Sequence, residues 1–216
     1  MIKAMIFDLD GTLVDSLADL VTSINTVLAR EDLPLRERDE IRLMIGQGMA
    51  NLVRRAIPES LHGTELETRM LAAANADYDR RCIEKTRPYP GVQPLLEGLC
   101  ARGIAVAVLS NKPDAFVLRI LGALFPEGTF AEARGERTDF PKKPDPASAL
   151  DIARRLGVEP ASCAFVGDSG VDIATGRAAG MLSIGVTWGY RERAELEAAG
   201  AAVLVNRPEE ILGFLE

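Results

Sequence analysis

The chain of 216 residues contains one histidine, His62, and three cysteines, Cys82, Cys100 and Cys163. The thiols are widely spaced, odd in number and without a CxxC pair or neighbouring histidines, which excludes a disulfide framework and a zinc site and leaves reduced core thiols. His62 lies in PESLHGT between helical segments, where a solvated turn residue is expected, so any reaction here must move its protons without imidazole. There is no basic block either. With a formal charge of -7, nucleic acid and anionic membranes are not expected partners, although a small basic pocket for an anionic metabolite is compatible with that balance. No apolar run reaches membrane-spanning length, and IKAMIF enters a strand-like run without the pattern of a signal peptide, so a cytoplasmic protein is expected. Repeats and low-complexity segments are missing, and ATGRAAG, residues 174–180, lacks the residue order of a P-loop.

What is present is a 47% hydrophobic composition, enough for a sizeable core. Two textures divide it. After Asp15 and Ser16, which offer a helix start, Leu17, Leu20, Val21, Ile24 and Leu28 recur at helical spacing, and helical patterns continue to about residue 85 with breaks at Gly46, Pro58 and before Pro88. From YPGV onward, helical patterns alternate with the short apolar runs IAVAVLS, CAFVG, SIGVT and AVLV, the signature of parallel strands buried on both faces. The expectation is an α/β, doubly wound parallel-sheet (Rossmann-like) domain over residues 1–15 and 86–216. A small all-helical unit over 16–85 is inserted after the first strand, IKAMIF.

In open α/β sheets ligands bind outside the carboxyl ends of the strands, so the residues following each run carry the chemistry. The first run is followed by D-L-D-G-T, IAVAVLS ends in Ser110 with Asn111 next, CAFV leads to G-D-S-G-V-D with Asp168 and Asp172, and PKKPDP supplies Lys142 and Lys143. Acids two residues apart, Asp8 and Asp10, repel one another unless a cation or hydrogen bonds compensate them. Asp8, Asp168 and Asp172 offer hard oxygen ligands suited to Mg²⁺, and Ser110 and Lys143 offer the neutral donor and fixed positive charge that a phosphoryl group needs. A carboxylate beside such a group can attack phosphorus, and a second can protonate the leaving alcohol and deprotonate water.

DxDGTLxDS, the strand-ending S-N, the KPxP lysine and GDSxxD together resemble the haloacid dehalogenase-like (HAD) hydrolase superfamily, in its order and spacing and over essentially the whole chain. The resemblance implies Asp8 as nucleophile and metal ligand, and Asp10 as acid/base whose carbonyl also meets the metal. It implies phosphate binding by Ser110, Asn111 and Lys143, with Asp168 on Mg²⁺ and Asp172 holding metal waters or the lysine. Thr12 is expected to orient Asp10. The helical insertion matches that family's cap, with IGQGM as its contact segment and Gln47 and Gly48 as candidate substrate contacts; Gly46 and Gly48 read equally well as a plain helix–helix turn. The Arg54–Arg55 pair reads as a solvated face, and WGY, residues 188–190, as packing or as a shield for the site.

IGQG and GVTWGY resemble the phosphoglycolate phosphatases within that superfamily, which implies hydrolysis of a small phosphorylated metabolite by a monomer or homodimer. The alternatives are a β-phosphoglucomutase-like phosphotransferase or sugar phosphatase and, outside enzymes, a receiver-type phospho-aspartate module. The last is disfavoured by the length of the chain and the insertion after the first strand.

Overall fold

In the computed structural model, residues 1–215 are described. They divide into two compact units, one of Met1–Asp15 with Pro88 onward, the other of Ser16–Arg87. In chain order, strand β1 (Ala4–Phe7) and the two-residue β2 (Val14–Asp15) precede the helical unit, which holds α1 (Leu17–Arg30), α2 (Arg38–Met44), α3 (Met49–Ala56) and α4 (Glu65–Arg81). The short β3 (Arg87–Pro88) follows, then α5 (Val92–Ala101), β4 (Ala105–Pro113), α6 (Asp114–Leu124), β5 (Glu132–Glu136) and α7 (Ala147–Arg155). Next come β6 (Cys163–Gly167), α8 (Gly170–Ala178), β7 (Leu182–Val186), α9 (Arg193–Ala198) and β8 (Val203–Val205), followed by a 3-10 helix at Pro208–Phe214. Among the described residues no helix is long and apolar enough to cross a membrane.

The α/β unit is a parallel six-stranded sheet in the order β5-β4-β1-β6-β7-β8. Strand β1 is central because all four of its residues are apolar and at most 1% exposed, so neither face can meet water. Ala4 and Ile6 share one face with Ala107, Leu109, Cys163 and Phe165, under Ala149, Ile152 and Ala153 of α7. Since every pairing is parallel, the carboxyl ends of the strands lie along one edge. The chain leaves β1 for β4 on one side and returns to β6 on the other, which makes the end of β1 the switch point of the topology.

Strand β5 has no apolar run behind it: its sequence is EARGE, and it is a strand because β4 pairs with it, Leu109 opposite Arg134. It ends in a close approach. A Cβ on Gly135 would meet the backbone of Lys112 and Asp114, and the Gly135 amide donates to Asp114 Oδ1 at 2.7 Å.

In the helical unit, α1 and α4 carry its buried polar contacts. Asp19, fully buried on α1, accepts from the amides of Lys85 and Thr86 and from Thr86 Oγ1 at 2.8–3.1 Å, so the unit runs on to Arg87, past the end of the helical pattern. The turn between α2 and α3 contains Gly46 at φ 118° and Gly48 at φ 85°, conformations that L side chains avoid. Gln47 between them is exposed. The Arg54–Arg55 pair is exposed; Arg55 donates to the Leu43 carbonyl, and His62 Nε2 bonds the Arg54 carbonyl at 2.8 Å.

Asp77, 1% exposed on α4, accepts from Arg81 Nε at 2.7 Å and Arg80 Nη2 at 2.8 Å, and the hydrogen bond from Arg81 holds its carboxyl below the ordinary range. A depressed carboxyl stabilises the fold above its unfolded pKa and loses that contribution as pH falls through the folded value. Asp77→Asn is therefore expected to cost about 2 kcal/mol at pH 7, a difference that closes as wild type is titrated below about pH 4. Urea unfolding at pH 7 and pH 3 checks it; an equal deficit at both values rules the charge out as the cause.

Candidate functional site

The edge formed by the carboxyl ends of β1, β4, β6 and β7 gathers the polar groups. The Asp8 amide continues the ladder by donating to Val166 O at 2.9 Å, which fixes the residue just beyond β1. The next residues turn at once, with the amides of Leu13 and Val14 both returning to Leu9 O. Gly11 permits this at φ 86°, and a Cβ there would collide with the Asp168 carboxylate. Asp10 is thereby turned back to the same edge.

Lys143 is the hub. Its ammonium donates to Asp8 Oδ1 at 2.8 Å and to Asp172 Oδ1 at 2.7 Å, and its side chain is 2% exposed. Asp172 is held in turn at the start of α8, where its Oδ2 accepts from Ser169 Oγ at 2.6 Å and from the Ser169 amide at 3.1 Å in a capping box. Gly167 leaves the room this carboxyl fills. Of the two roles foreseen for Asp172, the geometry favours holding the lysine. The Asn111 carboxamide clamps the Lys143 peptide in both directions, accepting from its amide at 2.9 Å and donating to its carbonyl at 3.0 Å. Both ends of that side chain meet the lysine backbone. Lys142 lies outside the cluster, paired with Glu136 at 2.7 Å and 38% exposed.

Asp168 follows β6 and is buried, its Oδ2 accepting from the Tyr190 amide at 2.6 Å. Thr12 Oγ1 makes a long 3.4 Å bond to Asp168 Oδ1, so the expectation that Thr12 orients Asp10 gives way to a role beside Asp168. WGY braces the turn after β1 rather than covering it: Trp188 Nε1 donates to Thr12 O at 3.0 Å, and Tyr190 Oη donates to Asp15 Oδ1 at 3.4 Å. Gly189 is required between them, since a Cβ would strike the Asp168 side chain and Gly11 O. The partner of Asp10 had no signal in the sequence reading. Lys112 Nζ lies 2.8 Å from each Asp10 carboxylate oxygen. Ser110, 5% exposed, stands two residues before it, its Oγ accepting from the Lys112 amide at 3.3 Å.

The electrostatics show what the cluster lacks. Burial pushes the Asp8 carboxyl up to about 6, with Lys143 pulling down and Asp172 and Asp10 pushing further up. Burial, then Asp172 and Asp8, raise Asp168 well above the ordinary carboxylate range. Burial would lower Lys143, but Asp172 and Asp8 outweigh it and hold the ammonium charged. Asp8, Asp10, Asp168 and Asp172 meet two ammonium groups, those of Lys112 and Lys143, with the Arg191 charge also acting on Asp168, so the carboxyl groups outnumber the lysines paired with them by two. One oxygen each from Asp8, Asp168 and Asp172 lies within 4.8 Å of the others. Buried hard oxygen donors with that charge deficit fit Mg²⁺. Gln47 and Gly48 belong to the helical unit.

The family model for haloacid dehalogenase-like hydrolases matches residues 2–180. The chain is 37% identical over 194 residues to the phosphoglycolate phosphatase of Haemophilus influenzae, covering 87% of each. It is 32% identical over 207 residues to that of Pseudomonas savastanoi, covering 94% of this chain and 76% of the relative. The crystal structure of a predicted phosphoglycolate phosphatase from Haemophilus somnus 129pt matches with a TM-score of 0.93 at 32% identity, covering 100% of this chain and 98% of that one.

Proposed function

Because the chain belongs to the haloacid dehalogenase-like hydrolase family, we propose that it is a phosphatase acting on a small phosphate monoester, with 2-phosphoglycolate as its preferred substrate. The observation that carries the chemistry is the pairing of two neighbouring acids with separate buried lysines, Asp8 with Lys143 and Asp10 with Lys112. One acid serves as nucleophile and the other as proton carrier, each fixed by its own cation.

In the first half-reaction an Asp8 carboxylate oxygen attacks phosphorus, the bond from phosphorus to the ester oxygen breaks, and Asp10 gives its proton to the leaving alkoxide. In the second, Asp10 takes a proton from water as that oxygen attacks the aspartyl-phosphate, releasing inorganic phosphate and restoring Asp8. Ser110 and Lys143 bind the phosphoryl oxygens. Asp172 and Asn111 hold Lys143 from its two ends, and Tyr190 and Thr12 hold Asp168. Asp8, Asp168 and the Asp10 carbonyl would hold Mg²⁺, which would supply charge neutralisation there.

The substrate assignment rests on the relatives' activity and is tested by a panel of phosphate esters assayed for phosphate release with Mg²⁺. The expected result is a kcat/KM for 2-phosphoglycolate about tenfold or more above those for hexose phosphates and nucleotides, the discrimination a few pocket contacts supply. A higher value for hexose phosphates replaces this assignment with the sugar-phosphate reading.

A further inference from the structure

The buried ammonium of Lys112 has no part in the scheme that the sequence motifs suggest, yet it reaches both carboxylate oxygens of Asp10. Its side chain is 5% exposed and that of Asp10 11%, so the pair is almost out of water. Such a pair is a poor source of stability, because desolvating both charges offsets most of their attraction. What it does supply is position. Two contacts of 2.8 Å from one nitrogen hold the carboxylate by both of its oxygens at a set distance from the lysine.

The lysine itself is anchored. Its amide donates to Ser110 Oγ, and Gly135 of β5 packs against the backbone of Lys112 and Asp114 with no room for a Cβ. The three consecutive residues at the end of β4 therefore connect the whole site: Ser110 lies on the phosphoryl side, Asn111 grips the Lys143 peptide, and Lys112 grips Asp10.

We propose that Lys112 is the positioning residue for the acid/base, holding the Asp10 carboxyl group where it gives its proton to the ester oxygen in the first half-reaction and, as the carboxylate, takes one from the attacking water in the second. This rests on the aspartyl-phosphate reading above. Its action runs through Asp10, so its loss slows proton transfer while leaving phosphate binding to Ser110 and Lys143. Proton transfer by a placed side chain is worth about 10²–10⁴-fold, which bounds the effect.

The test uses Lys112→Met and Lys112→Gln, with Lys112→Arg as the charge-keeping variant, on 2-phosphoglycolate and on p-nitrophenyl phosphate. For the alkyl ester, kcat is expected to fall about 10²-fold with KM within about threefold of wild type, and Lys112→Arg to recover part of the loss. The nitrophenolate leaving group needs no proton. With that ester Lys112→Met and Lys112→Gln are expected to release a burst of about one equivalent of nitrophenolate before a slow steady state, because only the water step is impaired. Equal losses on both esters without a burst mean that Lys112 merely supports the fold, and an unchanged kcat means that Asp10 needs no such support; either overturns the proposal. Asp8→Asn is run beside them. If it keeps turnover, the covalent reading falls; if it is inactive while the uncharged Lys112 variants behave as wild type, only the role of Lys112 falls.

Discussion

Asp8→Asn is expected to lower turnover on the order of 10⁴-fold or more while the protein stays folded, because the substitution removes the nucleophilic oxygen and a metal-binding charge together. The carboxylate is not replaced by any neighbour: Asp10 is held by Lys112, Asp172 by Lys143 and Ser169, and Asp168 by the Tyr190 amide. Stability should move the other way. Burial raises the Asp8 carboxyl to about 6, so folding disfavours its charged form, and above that pH the metal-free wild type bears a penalty that a neutral amide of the same shape does not. Lys143 keeps Asp172 as a partner in the variant. Thermal unfolding in chelator at pH 8 is therefore expected to give Asp8→Asn a Tm equal to or above that of wild type. A folded Asp8→Asn protein with near-normal phosphate release would end the covalent mechanism.

The same contrast between local and distant partners decides how much could be read from the chain. The central strands were legible because burial on both faces forces continuous apolar runs, and IKAMIF, IAVAVLS, CAFVG and SIGVT all fall in the sheet. EARGE was not, because β5 is an edge strand whose conformation comes from pairing with β4 and from the space left at Gly135 rather than from its own composition. Asp8, Ser110, Lys143, Asp168 and Asp172 could be gathered from their positions after strands and between strand and helix. Lys112 could not, since a lysine at a strand end reads as an exit to solvent and its partner lies 102 residues away. Thr12 is a related case: the turn after β1 brings its hydroxyl to Asp168, and sequence proximity to Asp10 says nothing about that turn. The Tyr190 amide leaves no trace in a side-chain pattern at all; GVTWGY marks the segment, but only the fold sets its backbone against Asp168.

Lys143→Ala is expected to weaken binding of a metallofluoride phosphate mimic by about 10²-fold or more, and binding in wild type is expected to vanish in chelator. Both follow from the same imbalance of charge. With Lys143 in place the four carboxylates outnumber the two lysines by two, and an anion approaching Asp8 meets net repulsion until a divalent cation is bound. Without Lys143 the excess rises to three, and Asp8 and Asp172 lose the cation between them inside the protein, where an uncompensated buried charge costs about 3–5 kcal/mol. Part of that cost falls on folding, so the binding titration is paired with a urea melt of the same sample, and the loss of affinity must exceed what the unfolded fraction explains. Lys142→Ala is the control one residue away. Its pair with Glu136 is about a third exposed, worth at most about 1 kcal/mol, and involves none of the clustered acids, so metallofluoride affinity should stay within about twofold of wild type. Equal affinity with Mg²⁺ and with chelator would mean that Asp8 and Asp168 do not hold the metal. Equal losses in the two lysine variants would mean that the anion is drawn by the general field of the edge rather than by the ammonium that bridges Asp8 and Asp172.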